Sequence, residues 1–194
     1  MSGDAALFFG LWLQRPLQIA AITPSSTHLA AAMAGLVDPS RLGSVLELGA
    51  GTGSLTRGLL RAGCPPARLV ALERETALAA TLRRSFPGIS TIVGDATALE
   101  DHLAECGIDR LCAMVSSLPI KWFPLSAQRA VLAPCLARLG EGGRFLQMTN
   151  AFASPVAIRA LGIAGIRVAQ VWRNLPPARI WVYSALPETA PETR

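Results

Sequence analysis

The residues from Val45 to Gly53, VLELGAGTG, constrain this chain more than any other stretch. An apolar strand pattern runs directly into three glycines at every second position, and a helical pattern follows from Leu55 to Arg61. Glycines remove all side chains from the turn, so its backbone can approach a ligand closely. The helix offers unpaired N–H groups and the positive end of its dipole to a polar or anionic group. The stretch therefore predicts a strand, turn and helix that bind a nucleotide-like ligand.

The spacing of these glycines separates the turn from the dinucleotide-binding fingerprint. That fingerprint requires its third glycine one position later, where this chain has Ser54. Here the pattern is Gly-x-Gly-x-Gly, and the acidic Glu47 stands just before it. The sequence ELGAGTG after a strand pattern resembles the first motif of class I S-adenosylmethionine-dependent methyltransferases. A simple strand-to-helix turn does not need three glycines, which argues against a purely structural role.

Length and composition indicate one domain with a large apolar core. A chain of 194 residues is long enough for such a core. Its 51% apolar and 16% charged residues favour a deep core or contact with a membrane. The formal net charge is +5, and Lys121 is the only lysine among 18 basic residues. A positive surface suits nucleic acid and an anionic membrane equally well, so charge does not choose between them.

The cysteines and the apolar runs indicate a cytoplasmic protein. None of the four cysteines stands in a C-x-x-C pair or beside a histidine at metal-ligand spacing. We therefore expect free thiols that pack as small core residues, and no metal site. The cysteines are Cys64, Cys106, Cys112 and Cys135. No apolar run approaches the roughly 20 residues of a membrane-spanning helix, and the start of the chain lacks the basic region of a signal peptide.

Strand and helix patterns alternate along the chain, as in βαβ units. The strands are expected at 45–48, 68–72, 89–93, 111–115, 144–149, 167–171 and 179–185, and the helices at 27–36, 55–61, 76–86, 98–105, 126–139 and 155–161. The expected fold is α/β: a Rossmann-like, seven-stranded, mostly parallel sheet of the class I methyltransferase type, with an N-terminal apolar helix. Residues 1–36 are expected to form docking or lid helices, 37–186 the methyltransferase domain, and 187–194 a flexible tail.

Acidic residues follow two of the predicted strands. Ligands of open parallel sheets bind outside the carboxyl ends of the strands. Glu73 lies 24 residues after Gly49, close to the spacing at which an acidic side chain binds the ribose of a nucleoside. Asp95 follows the third strand. The alternatives are a solvated helix cap for Glu73 and a helix N-cap for Asp95.

The methyltransferase resemblance implies S-adenosyl-L-methionine as cofactor and assigns residues to each part of it. The glycine loop would hold the methionine end, with Glu47 orienting the loop or attracting the cofactor's positive groups. Glu73 would bind the ribose, and Asp95 with Ala96 would contact the adenine; Ser116 completes the set. The loop residues are Gly49, Ala50, Gly51, Thr52 and Gly53.

The end of the fourth strand discriminates between methyl acceptors. Methyltransferases acting on amino groups of bases or of glutamine usually carry Asn/Asp-Pro-Pro-aromatic there, whereas this chain has the sequence SSLP at 116–119. Together with QMT at 147–149, NLPPA at 174–178 and the apolar segment ending RPL at 15–17, this resembles the bacterial phospholipid N-methyltransferases. Those soluble, membrane-docking enzymes convert phosphatidylethanolamine to phosphatidylcholine. The resemblance covers residues 7–183.

The resemblance implies an acceptor site on the loops beyond the fourth and fifth strands. Ser116, Ser117 and Asn150 would hold the amine as hydrogen-bond acceptors. Lys121 and Arg173 are candidates for the lipid phosphate, with solvated surface charges as the alternative. Trp122 and Phe123 would face the methylated ammonium through cation–π contacts, or plug the core below their loop.

The apolar segment 5–13 indicates contact with lipid. Consecutive residues point about 100° apart around a helix, so a helix that is apolar all round needs cover on more than one side. The segment is too short to span a bilayer and suits the headgroup boundary of an anionic membrane; the alternative is a lid over the cofactor loop. We expect a monomer in solution that works peripherally on the cytoplasmic face of the inner membrane.

Two other functions are compatible with the glycine motif. An RNA methyltransferase of the ribosomal adenine dimethylase type would also use the basic charge. Against it, the fourth strand lacks the base-gripping motif, and few residues follow the last strand, so we expect no nucleic-acid partner. A non-catalytic protein that binds S-adenosylmethionine is the third possibility.

Overall fold

A computed structural model of the protein describes residues 26–186. The apolar segment 5–13, the rest of the first 25 residues and the tail 187–194 lie outside the described residues. The expectations for a membrane-docking helix and a flexible tail therefore stay predictions.

The described residues form a seven-stranded sheet with helices on both faces. The strands are β1 Ser44–Leu48, β2 Leu69–Glu73, β3 Ser90–Val93, β4 Leu111–Ser116, β5 Leu139–Thr149, β6 Ile163–Val171 and β7 Ala178–Ala185. The helices are α1 Thr27–Ala34, α2 Ser54–Arg61, α3 Thr76–Ser85, α4 Leu99–Glu105, α5 Leu125–Arg138 and α6 Ile158–Leu161. None of these helices is long and apolar enough to cross a bilayer.

The sheet order is β3-β2-β1-β4-β5-β7-β6. Strands β1 to β5 are parallel, and β7 lies antiparallel between β5 and β6. The chain winds outward from β1 to β3 and then returns to place β4 on the other side of β1. The order therefore reverses between β1 and β4, which is where open α/β sheets bind their ligands. The expected seven-stranded, mostly parallel α/β sheet is confirmed.

The central strands are buried on both faces because helices cover each of them, as expected for parallel sheets. One face packs on α4 and α5, and the other on α1 and α2. The first core includes Leu46, Leu48, Leu72, Met114 and Phe145 with Leu99, Leu103 and Val131. The second includes Val45, Leu69, Val115 and Leu146 with Leu29, Met33, Leu55 and Leu59.

Helix α1 is fixed to the domain at its start and along its length. The Ser26 hydroxyl accepts a hydrogen bond from Leu29 N, and Ser26 N donates to Asn174 Oδ1 at 3.0 Å. On α2, a Cβ added to Gly58 would lie 3.0 Å from the carbonyl oxygen of Ala30. The missing side chain at Gly58 thus lets the two helices approach closely.

Two strands begin several residues earlier than the sequence-based expectation. Strand β5 begins at Leu139 instead of 144, because Leu139 pairs with Leu111 before the glycine-rich stretch 140–143 leaves the ladder. Strand β6 begins at Ile163 instead of 167, because β7 pairs with it as far as Ala185. Its register shifts between Arg167 and Ala169.

Helix α6 begins at Ile158, so the expectation of a helix from Pro155 was wrong. The Ser154 hydroxyl accepts a hydrogen bond from Val156 N and lies 2.8 Å from the Tyr183 hydroxyl. These contacts hold the chain in a turn just where the helix was expected to start.

All four cysteines are free thiols, as expected. Cys64, Cys112 and Cys135 are buried, and burial raises the pKa of each thiol. Cys106 is exposed at the end of α4, so the expectation that it packs in the core was wrong.

Candidate functional site

The glycine loop lies at the carboxyl end of β1, beside the point where the strand order reverses. Gly49, Gly51 and Gly53 have φ values of +73°, +56° and +80°, in the left-handed region that glycine adopts without strain. A Cβ on Gly49 would lie 2.8 Å from Leu118, and one on Gly53 would clash with Phe86. Among the described residues, a Cβ on Gly51 would meet only the Gly49 backbone oxygen, at 3.9 Å. Protein packing explains two of the glycines, whereas no described side chain fills the space beside Gly51, which a ligand can therefore occupy.

Glu73 connects this loop to the end of β2. Its Oε2 accepts a hydrogen bond from Gly51 N at 2.7 Å, and its Oε1 accepts one from Glu75 N at 2.9 Å. The side chain is only 7% exposed, so it is not a solvated helix cap. Each carboxylate oxygen keeps a second lone pair for another donor. Glu73 therefore shapes the loop and still has acceptor capacity for hydroxyl groups in the crevice.

Glu47 is buried beneath the same loop, with 1% of its surface exposed. Thr56 Oγ1 donates to Glu47 Oε2 at 2.7 Å, which ties β1 to α2. Within the described residues Oε1 has no hydrogen-bond partner. Burial raises the pKa of Glu47 to about 8, so the side chain is mostly protonated at neutral pH. In this state it positions the loop, and it becomes an anion only when a nearby positive charge lowers its pKa again.

Asp95 follows β3 and caps the short 3-10 turn Ala96–Ala98. Its Oδ1 accepts hydrogen bonds from the backbone N and the hydroxyl of Thr97, both at 2.8 Å. Arg74 Nε lies 3.5 Å from Oδ2. The capping role considered from the sequence is therefore present, and Ala96 is buried behind it. The capping leaves Asp95 at the carboxyl edge of β3, on the β2 side of the crevice.

The two serines at the carboxyl end of β4 point their hydroxyls toward the backbone. Ser116 is fully buried, and its Oγ accepts a hydrogen bond from Leu118 N at 3.2 Å. Ser117 Oγ donates to Gly49 O at 2.7 Å. The Ser117 bond ties the loop expected to bind the acceptor to the loop expected to bind the cofactor, whereas the Ser116 bond stays within the acceptor loop.

Gln147 is a polar side chain of this site that the sequence reasoning did not select as a site residue. It is fully buried on β5, in register with Ser116 on β4. Its Nε2 donates to Leu118 O at 2.9 Å and to Met148 O at 2.7 Å, which fixes the orientation of the amide. Among the described residues its Oε1 has no partner. A glutamine inside the apolar run of β5 was the available signal, since such a group is costly to bury without a partner.

The remaining predicted residues lie on loops at the same edge of the sheet. Asn150 is exposed, and its carbonyl accepts a hydrogen bond from Arg179 Nη1 at 3.0 Å. Lys121 Nζ stands 5.1 Å from the centre of the Trp122 ring, on a face where a methylated ammonium was expected. Arg173 is exposed on the turn between β6 and β7. The structure thus places these residues around the edge and does not gather them into one closed pocket.

The two histidines of the chain lie on helices α1 and α4. His28 is exposed on α1, and His102 packs against Gly94. Within residues 26–186, no group of three or more histidine, cysteine, aspartate or glutamate side chains is arranged to hold a metal ion.

Comparison with known proteins adds relatives of two kinds. No protein-family model matches the chain. Ornithine lipid N-methyltransferase of Singulisphaera acidiphila is 32% identical over 150 residues, which are 76% of this chain and 78% of that protein. Ribosomal RNA small subunit methyltransferase A of Anaeromyxobacter dehalogenans is 31% identical over 189 residues, but this chain spans only 61% of its length. The corresponding protein of Sphingopyxis alaskensis is 34% identical, and this chain spans 43% of it.

Solved structures share the fold at low sequence identity. Glycopeptide N-methyltransferase MtfA complexed with S-adenosyl-L-methionine matches with a TM-score of 0.60 and 18% identity, covering 86% of this chain and 89% of that one. TrmN from Thermus thermophilus matches with a TM-score of 0.57 and 20% identity, covering 81% and 48%.

Proposed function

This chain belongs to the lipid N-methyltransferase family of ornithine lipid N-methyltransferase, and from that premise we propose which lipid it methylates. It transfers methyl groups to the amine of phosphatidylethanolamine and of its mono- and dimethyl forms, towards phosphatidylcholine. The observation that supports a lipid acceptor is 32% identity to ornithine lipid N-methyltransferase over about three quarters of both chains. The choice of phosphatidylethanolamine rests on the resemblance of SSLP at 116–119, QMT at 147–149 and NLPPA at 174–178 to the phospholipid N-methyltransferases.

The cofactor is S-adenosyl-L-methionine, and the residues of the crevice fit it. The space that the described residues leave beside Gly51 and the positive end of the α2 dipole suit the methionine end. Glu73 has lone pairs left for the ribose hydroxyls. Asp95 and Ala96 stand at the end of β3, where they would meet the adenine.

The cofactor, when bound, supplies an activated methyl group on a sulfonium. The protein must then align the acceptor nitrogen with that methyl and exclude water. A primary ammonium has an ordinary pKa of about 10.4, so it must lose a proton before it can react. Desolvation favours the neutral amine, and Gln147 Oε1 beside Ser116 offers a buried acceptor for its remaining N–H groups.

Ornithine lipid is the second candidate substrate, because it is the lipid named in ornithine lipid N-methyltransferase, the relative of which this chain covers 78%. Both lipids present an amine on a headgroup at a bilayer surface. The same methyl transfer would therefore serve either amine, and the enzyme would select between the two lipids by the space that it leaves around that amine.

The RNA methyltransferase alternative receives less support. The relatives named for ribosomal RNA extend well beyond the region that this chain matches. The hydroxyls of both serines at the end of β4 form hydrogen bonds with the backbone. A base-methylating enzyme uses side chains at this position to bind the exocyclic amine of a base.

The proposed site of action is the cytoplasmic face of the inner membrane, where the chain would act as a peripheral monomer. This proposal rests on the lipid nature of the substrate and on the apolar segment 5–13, which suits the headgroup boundary.

A direct assay separates these functions. Purified protein and radiolabelled S-adenosylmethionine are incubated with vesicles that contain one acceptor each: phosphatidylethanolamine, its monomethyl form, its dimethyl form or ornithine lipid. A separate incubation with ribosomal RNA is the control. We expect label in the phosphatidylethanolamine series. Label in ornithine lipid alone would replace the first substrate by the second, and label in RNA alone would reject lipid methylation.

A further inference from the structure

Three large apolar side chains are exposed on two turns of the domain. Phe152 is 79% exposed on the turn after β5, and Trp172 and Leu175 are 73% and 80% exposed on the turn after β6. We call these three residues the apolar patch. Such side chains are usually buried, and a cluster of them on a surface marks an interaction site.

Strand pairing places both turns at the edge of the sheet that carries the site. Thr149 at the end of β5 pairs with Arg179, and Val171 at the end of β6 pairs with Ala178. Both turns therefore leave the carboxyl edge, from which the glycine loop also leaves. The apolar patch adjoins the acceptor side of this edge, beyond β5.

The charges along this edge are unevenly divided. Loops 117–124, 150–157 and 172–177 contain no aspartate or glutamate and carry Lys121 and Arg173. The cofactor side, by contrast, carries Glu73 and Asp95. Two of the chain's four tryptophans stand on these three loops. Apolar and aromatic side chains among basic residues, without acidic ones, suit the headgroup region of an anionic bilayer.

Contacts inside the domain hold the patch in place. The Arg179 guanidinium lies 3.8 Å from the centre of the Phe152 ring and donates to Asn150 O on the same turn. Asn174 Oδ1 accepts a hydrogen bond from Ser26 N, and its Nδ2 donates to Pro176 O at 2.8 Å. The exposed rings therefore stand on turns that are anchored to the domain.

We propose that the apolar patch inserts into the interface of an anionic lipid bilayer and holds the carboxyl edge of the sheet against it. The inference rests on the proposed function, because a headgroup anchored by acyl chains can be reached only by an edge that faces the bilayer. It adds a docking surface within the folded domain to the contact expected of segment 5–13.

Vesicle binding of the full-length protein tests the patch without relying on methylation. Vesicles of phosphatidylglycerol and phosphatidylcholine contain no acceptor amine, and the assay contains no cofactor. We expect the double variant Trp172→Ser/Leu175→Ser to co-sediment with them at least tenfold more weakly than the wild type. Leu42→Ser is the matched control: Leu42 is also 73% exposed, but it lies on the turn before β1 at the opposite edge. Its binding should stay within twofold of the wild type.

Two further measurements exclude unfolding and self-association. Thermal melting should show the double variant to be as stable as the wild type, since both side chains are exposed. Brominated phosphatidylglycerol should quench tryptophan emission of the wild type, and Trp172→Phe should remove a clear part of that quenching. Sedimentation velocity should give the same mass for wild type and double variant.

Unchanged vesicle binding by the double variant, or an equal loss in Leu42→Ser, would overturn the docking proposal. Quenching that Trp172→Phe leaves unchanged would also overturn it. A wild-type protein that sediments as a dimer, together with a double variant that sediments as a monomer, would overturn it as well, because the patch would then be a contact between two copies of the chain. Methylation of phosphatidylethanolamine without patch-dependent binding would leave the proposed function standing. Patch-dependent binding without methylation would reject the substrate and leave the docking surface standing.

Discussion

Glu73 illustrates how one carboxylate can serve both the shape of the site and its ligand. It accepts backbone hydrogen bonds from Gly51 and Glu75, so removing its charge affects the loop as well as any hydroxyl bound in the crevice. We expect Glu73→Gln to weaken S-adenosylmethionine binding by about 1.5–3 kcal/mol, the range of hydrogen bonds to charged groups. Calorimetric titration measures this, with Glu75→Gln as the control next to it. Equal affinity in both variants would contradict the assignment.

Glu47 should make stability depend on pH. Its pKa is about 8 in the folded protein and about 4.5 ordinarily, so between these values the folded state holds a proton that the unfolded state has released. The free energy of unfolding therefore falls as pH rises through this range, by up to about 1.4 kcal/mol per pH unit. Glu47→Gln keeps an acceptor for Thr56 and should remove this slope. Urea unfolding at pH 5.5, 6.5 and 7.5 checks it, and parallel slopes in both proteins would count against a raised pKa.

Gln147 should matter for turnover beyond its effect on stability. Gln128 offers a matched control, because it is also buried and its Nε2 donates to two carbonyls, while its Oε1 accepts from Ala157 N. Both Gln147→Met and Gln128→Met leave carbonyls unpaired and should lower the free energy of unfolding by about 1–3 kcal/mol. Only Gln147→Met should also lower kcat, roughly tenfold, with unchanged cofactor affinity, since it alone removes an acceptor beside Ser116. A similar kcat in the two variants would assign Gln147 a structural role.

At the scale of elements, the contact between α1 and α2 depends on Gly58. We expect Gly58→Leu to push α1 away from α2 and to lower the free energy of unfolding by about 1–3 kcal/mol, the usual cost of overpacking. Arg61→Ala, on the exposed face of the same helix, should change it by less than about 0.5 kcal/mol. Thermal unfolding provides the comparison. A stable Gly58→Leu variant would show that α1 can shift without cost.

The alternation of strands and helices could be read from the sequence because each central strand is a continuous apolar run. The glycine spacing likewise located the loop at the end of β1. Local patterns could not predict where β5 starts, since Leu139 joins the sheet through a distant partner, Leu111. They also could not show that the hydroxyl of Ser116 turns inward or that Gln147 shares its layer, because both depend on strand register.

At the scale of the whole molecule, the carboxyl edge of the sheet divides into two halves. The half around β1, β2 and β3 carries the glycine loop and the acidic side chains. The half around β4, β5 and β7 carries serine, glutamine, aromatic and basic side chains. A cofactor and an amphiphilic acceptor can therefore approach the reversal point between β1 and β4 from different sides.

The far side of β6 has a consequence for solubility. Among residues 26–186 no strand pairs with the outer edge of β6, so its backbone groups can serve as a template for a strand of another molecule. Arg167 is exposed there, and the register shift beside it interrupts the regular ladder. A charge and a bulge are the usual protections against such pairing.

We expect Arg167→Ile to raise light scattering on mild heating well before the cofactor site is lost, because the substitution joins Ile166 and Val168 into an uncharged β-branched run. Ile166→Thr should have the opposite effect. Equal scattering from all three proteins would mean that another part of the molecule shields this edge. A single arginine, far from the chemistry, would thus decide whether the enzyme remains dispersed at the concentrations at which it is made.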